Sequence, residues 1–327
     1  MTTLDRLLDA NAGLSQNHRG TFNHLPMALT ALAAMGASDD RLERYFAWWE
    51  ENRALPREGE EPTVTRADWP EFLGRSRAYG PLSDVFAAWM DEAGQDEVVL
   101  AVAPRLASSP GAVAFHAIIR LACALETGNH REVAAGLASW VTGCRPLDLP
   151  PGAPAESIEA SLAAIVEAMD GKVRPRGLIT TGMIQVSQDS DFRAALTAPP
   201  AAGEALVRAL AHAAIRLYWR LPNFTILHLV TGTHAARILA QRYPALLTPA
   251  FETALWTDWC AAYATIGGPP LEDPVIAEDL PPWPAIFAAA IAQDDDHVIK
   301  LTWSCHAEQQ RWGDPLYRQA AARVTGV

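Results

Sequence analysis

Residues 111–128 read "GAVAFHAIIRLACALETG". From Val113 onward, apolar side chains recur at three- and four-residue spacing, and the segment closes on a glycine. That period predicts a helix with a buried face. The same period recurs almost everywhere. It predicts helices over 24–36, 39–53, 83–94, 131–141, 155–169, 203–221 and 248–264, with a final pair near the C-terminus. Strand-like alternation is scarce, and "GLITTGMIQVS" (177–187) is the only segment with a claim to β structure. The expected fold is all-α, a multi-helix bundle of packed helix pairs around a central metal-binding cavity. Histidine-bearing segments are spread along the chain as if around one centre, so a single domain over 1–327 is expected.

The chain has 327 residues, enough for a large core. Half are hydrophobic and a fifth charged, an ordinary globular balance. Net charge is 26 − 38 = −12. An acidic chain without a basic stripe is a poor partner for nucleic acid or an anionic membrane. No apolar run reaches the ~18–20 residues of a membrane span. The opening residues lack a secretory pattern, so a cytoplasmic location is expected. Cys123, Cys144, Cys260 and Cys305 show no CxxC spacing and read as reduced core thiols. No G-x-G-x-x-G loop follows a strand, so no bound flavin or NADPH domain is suggested. Proline clusters at 145–157 and 197–203 read as linkers. The longer one at 267–284 has the length of a lid or binding loop.

The chain holds nine histidines. His18 lies in polar "SQNHRGT" and is expected at the surface. His130 falls in a turn, with Asn129 as helix cap, and His212 in a core or groove position. Four others differ. His24 follows Asn23 and precedes Pro26, a rigid helix start. His116 lies mid-helix in the opening segment, with Arg120 one turn on. His228 is embedded in "FTILHLVTGTH". His297 opens "HVIKL", one turn before Lys300. One buried imidazole on each of four helices is what a bundle-core metal site needs. The zincin H-x-x-x-H and the Glu-x-x-His of di-iron bundles are both absent.

"FNHLPMAL" (22–29), "AFHAIIRLACALE" (114–126), "FTILHLVTGTHAARIL" (224–239), "HVIKLTWSC" (297–305) and "GDPLYRQAA" (313–321) resemble, in this order, segments of the questin oxidase-like family. The resemblance runs from about residue 20 to the C-terminus and is weakest over 145–200. It implies a non-haem iron oxygenase that inserts oxygen into, or ring-opens, an aromatic polyketide or quinone-like substrate. By motif it implies His24, His116, His228 and His297 as Fe(II) ligands, with Lys300 carboxylated on its amine. His234, six residues after His228, is the main rival, and ligates beside it only if Gly232 breaks the helix.

The ligand set has a charge logic. Four neutral imidazoles leave Fe²⁺ its full charge, and protonated lysine cannot ligate. A lysine carbamate would supply an anion, and the i,i+3 spacing puts His297 and Lys300 on one helix face. The plain alternative is an Asp296–Lys300 salt bridge on a solvated face, worth only ~0.3–0.5 kcal/mol. Arg120, Thr231 and His234 are the expected supporting residues, Arg120 orienting a phenolate or pairing with a carboxylate. Trp69, Trp219, Trp256, Trp259 and Trp303 are candidate walls for a flat substrate. The expected partners are a small aromatic and O₂, with electrons from the substrate or an external donor such as NADPH. Two other functions fit the same residues: a helical small-ligand binding protein without catalysis, and a zinc-dependent hydrolase. Oligomeric state is not encoded in any motif.

Overall fold

A computed structural model describes residues 1–19, 21–57, 62–150, 152–172 and 177–327. Among these the chain forms sixteen α-helices. The first seven are α1 (Thr3–Asn11), α2 (Leu25–Ala34), α3 (Asp39–Asn52), α4 (Tyr79–Ala93), α5 (Gln95–Val102), α6 (His116–Thr127) and α7 (His130–Gly143). The middle of the chain forms α8 (Ile158–Met169), α9 (Ile179–Ser187), α10 (Ser190–Ala195), α11 (Gly203–Arg220) and α12 (Phe224–Arg242). The last four are α13 (Pro249–Thr265), α14 (Trp283–Ile291), α15 (Asp296–Trp312) and α16 (Leu316–Thr325). A two-residue antiparallel ribbon, β1 (Asn17–His18) and β2 (Thr21–Phe22), pairs His18 with Thr21. The all-α bundle of packed pairs is as expected. No described helix is long and apolar enough to cross a membrane.

The helices pack largely as sequential pairs: α6 on α7, α11 on α12, α15 on α16. At the centre, α2, α6, α12 and α15 close a ring in which each touches the next. α12 explains why it is central. Its run from Thr225 to Arg237 is buried without a break. Buried on every side, it has no solvent face, so its polar residues must find their partners inside. Its mid-helix threonines need no outside partner, because Thr231 and Thr233 donate to the Leu227 and Leu229 carbonyls at 3.1 and 2.7 Å. Gly232 leaves this helix unbroken.

Three details differ from the sequence expectations. Residues 179–187 are helical, not a strand. Ile179, Thr180 and Thr181 favour β structure locally, but Gly182, Met183 and Val186 fall on one helical face that packs against α13. His18 is buried, because Trp49 covers it and donates to its Nδ1 at 2.6 Å. The long loop after α13 is strapped to helices that carry none of the four singled-out histidines. Gln319 of α16 holds it through Ala277 N–H and the Val275 carbonyl, and Arg216 and Arg220 of α11 pair with Asp273 and Glu272.

Candidate metal centre

The four central helices present their N-terminal ends to one point. His24 is the N-cap of α2, His116 the first residue of α6, His228 the fifth of α12 and His297 the second of α15. The caps that start two of these helices are local. Asn223 accepts from Thr225 N–H at 2.8 Å, and Asp295 from His297 N–H at 2.8 Å. Asn23, one residue ahead of the α2 cap, accepts from Leu25 N–H at 3.2 Å.

The imidazoles form a closed circuit. Ring centroids lie 4.7 Å apart for His24–His116, 4.6 Å for His116–His228, 5.7 Å for His228–His297 and 4.8 Å for His297–His24. Three of the rings have a hydrogen-bond acceptor at Nδ1, and the fourth has a carboxylate near it. His116 donates to the Val113 carbonyl at 2.5 Å and His228 to the Phe224 carbonyl at 2.7 Å. His24 donates to Asp296 Oδ2 at 2.5 Å, and His297 Nδ1 lies 3.2 Å from the same oxygen. A proton held at Nδ1 leaves a lone pair at Nε2.

The Nε2 atoms are the telling part. Those of His24 and His297 are buried with no hydrogen-bond partner among the described residues. Those of His116 and His228 face each other at 3.1 Å. With both Nδ1 atoms already donating, that contact opposes two lone pairs. Protonating one ring does not relieve it cheaply. Burial pushes His24 down to about 3 and holds His116 and His228 well below the usual imidazole value. Helix N-termini add a field that disfavours imidazolium and favours anions. Buried, unpartnered imidazole nitrogens could hold a cation, and such a donor set suits iron or zinc.

Asp296 is the hub. Its Oδ2 takes His24, His297 and, at 3.2 Å, Lys300 Nζ. Burial raises its carboxyl, but Lys300 and His24 more than offset this and hold it well below the usual range. His24, Asp296 and His297 also offer ligand atoms within 4.8 Å of one another. Asp296 is thus placed both to orient His24 and to offer a carboxylate oxygen to an ion. Lys300 is 6% exposed, so its i,i+4 pair with Asp296 exists but not on a solvated face. Burial pushes its amine below the ordinary value.

The turn before His116 is strained. Val113, Ala114 and Phe115 have φ of 52°, 55° and 67°, the left-handed region that costs non-glycine residues roughly 1–3 kcal/mol each. Two helical glycines make room for it. A Cβ on Gly143 would collide with Val113, and one on Gly232 would meet the Phe115 ring at 2.8 Å. The strained turn is what delivers the Val113 carbonyl to His116. Gly232→Ala is therefore expected to cost about 1–3 kcal/mol by overpacking and to displace His116. Urea unfolding and metal content of the variant measure both; a stable variant with unchanged metal content refutes the coupling.

The supporting residues named from sequence sit elsewhere. α12 is continuous, so His234 points about 120° away from His228. It binds Glu308 Oε1 at 2.7 Å, alongside Arg237 at 2.6 Å, while Trp312 donates to Glu308 Oε2 at 2.6 Å. This buried knot ties α12 to α15. Arg120 is bidentate to Glu132 at 2.5 and 3.0 Å, which takes it away from any substrate. Thr231 spends its hydroxyl on Leu227.

The aromatic walls differ too. Phe22 packs on His116 (5.2 Å), Trp49 on His24 (6.4 Å), and Phe224 on His228 (4.5 Å) and His297 (4.8 Å). Phe224 is 53% exposed and covers the site where His297 comes nearest to solvent. Trp256 and Trp259 are plain core, Trp69 meets Phe86 edge-on, Trp219 lies under Arg323, and Trp303 donates to Glu126. Sequence reasoning missed Asp296 as the shared acceptor. The signal was its place beside His297 and one turn before Lys300. Phe224, one turn before His228, carried the same kind of signal.

A family model described as Questin oxidase-like matches residues 21–305. No curated protein matches the chain.

Proposed function

The chain belongs to the questin oxidase-like family, and from that premise we propose that it is a non-haem iron oxygenase acting on an aromatic polyketide or quinone-like substrate. The family implies an oxidoreductase. The observation that supports the iron reading is a cluster of four packed imidazoles in which the His24 and His297 Nε2 atoms are buried without a partner and those of His116 and His228 lie 3.1 Å apart. His24, His116, His228 and His297 would hold the ion. Bound ferrous iron would supply the electron transfer that O₂ needs to react with a closed-shell aromatic.

The protein's own residues do the rest. Asp296 holds the His24 imidazole in one tautomer, lies 3.2 Å from His297 Nδ1, and would offset part of the ion's charge. The four helix N-termini favour an anionic oxygen, such as a phenolate, beside the ion. Phe224 offers a flat apolar face at the exposed edge. Two readings remain for Lys300. Its contact with Asp296 Oδ2 favours an ammonium that balances the hub. Its burial and lowered amine favour capture of CO₂ as a carbamate ligand, which would have to release Asp296.

Metal analysis of untagged protein purified without chelator tests the proposal. About one iron per chain is the expected result, since four convergent imidazoles make one site. Zinc alone would turn the reading to a hydrolase, and a folded protein without metal would overturn both. Iron loading that rises with bicarbonate and is lost in Lys300→Ala selects the carbamate; loading indifferent to bicarbonate selects the ammonium.

A further inference from the structure

α13 carries an acid that the histidine site does not use. Asp258 is 3% exposed, and its Oδ2 accepts one hydrogen bond, from Gly111 N–H at 2.7 Å. No cationic side chain pairs with it among the described residues. A Cβ on Gly111 would stand 2.6–2.7 Å from the Asp258 side chain, so glycine is what lets the acid reach the backbone here. Burial without a countercharge pushes the carboxyl up to about 7.

The same carboxyl lines two cavities, of about 480 and 430 Å³, which also share Leu147. Residues 144–149, part of the proline-rich segment read from sequence as a linker, run along both. Val113, Leu147, Met183 and Ile184 supply apolar wall, Thr180 and Thr181 hydroxyls, and Arg145 an exposed cation at the edge. An apolar chamber with a few convergent polar groups is the usual form of a small-molecule site, and each volume falls in its range. Val113 connects it to the centre, because its carbonyl holds His116.

We propose that the paired cavities around Asp258 bind a flat, oxygenated polycyclic aromatic, with the Asp258 carboxyl donating a hydrogen bond to a carbonyl oxygen and Arg145 pairing with an anionic group. The ligand class rests on the oxygenase reading; the cavity does not. A protonated acid is a donor and its carboxylate only an acceptor, so binding of a carbonyl ligand falls as Asp258 ionises. The strap brings Cys144, Arg145 and Asp148 to the cavities, and the lining residues of α9, α13 and 108–112 bring no titratable group besides Asp258. Burial pushes the Cys144 thiol upward, away from this window.

Anthraquinone-2-sulfonate is a suitable probe, since it has two ring carbonyls and a sulfonate that stays ionised throughout. Calorimetric titration of the full chain, metal-stripped and iron-loaded, is expected to show binding at pH 6 that weakens roughly tenfold per pH unit above about 7. Asp258→Asn, which keeps an N–H donor, is expected to bind without that pH dependence. Arg145→Ala, at an exposed position that does not threaten folding, is expected to weaken binding at every pH. Wild-type protein that does not bind the probe, or whose binding ignores both variants, overturns the proposal. Protein that takes up iron but not the probe refutes the cavity alone; protein that binds the probe but no metal refutes the oxygenase reading alone.

Discussion

With the proposed iron centre, His228→Ala is expected to fold and to bind no iron. Removing a hydrogen bond behind a metal ligand costs roughly 10–100-fold in metal affinity, and removing the ligand itself costs more. Asp296→Asn provides the graded comparison. It keeps the shape of the hub but weakens its hold on His24 and His297, so its iron affinity is expected to fall within that 10–100-fold range. Stability of the metal-free proteins separates this from a structural role for His228. In the absence of metal, His228 and His116 oppose lone pairs at 3.1 Å, so alanine removes a repulsion along with the packing. The variant's thermal midpoint should therefore lie far below that of iron-loaded wild type but close to that of metal-free wild type. An iron-replete His228→Ala protein would sink the ligand assignment. So would a metal-free variant destabilised as strongly as the loaded one, because His228 would then be a core hydrogen-bonding residue.

The largest loss of stability is expected at a residue that touches no metal. Arg120 is fully buried, and Glu132 takes its guanidinium with two hydrogen bonds while Ser139 lies at 3.4 Å. Asn11 adds a bond to the same carboxylate at 3.3 Å, which ties α1 to the pair. Glu132→Ala would leave a guanidinium in the core without its countercharge. Breaking such a pair from one side typically costs 3–5 kcal/mol, so unfolding in urea at pH 7 should show a fall of about 3–5 kcal/mol. Removing both charges is a different matter. Arg120→Met with Glu132→Leu should recover most of the loss, since the desolvation of two ions disappears with their attraction. A single substitution costing under about 1 kcal/mol would mean that water reaches Arg120 and that the pair is not a core element.

Much of the architecture was written in local pattern. The three- and four-residue apolar spacing marks almost every helix, and Asn129, Asn223 and Asp295 act as caps where their chemistry suits them. That His24 and His297 stand at helix starts was also legible, because Pro26 and the aspartates before His297 are helix-start residues. His116, expected mid-helix, is instead the first residue of α6, because residues 113–115 form a left-handed turn.

What only tertiary structure decided has a common cause: each case depends on a partner distant in sequence. The β-branched start of residues 179–187 became helix because α13 offered a surface for one helical face. His18 lies inside because Trp49 closes over it. Asp296, by sequence one of three aspartates opening a helix, gathers His24 from 272 positions away. The left-handed turn at Val113–Phe115 persists only because Gly143 and Gly232, on two other helices, leave it the space that any Cβ would fill. Periodicity determines which residues form a helix and which face is apolar. Only packing decides where four helix ends meet, and so which buried lone pairs face one another.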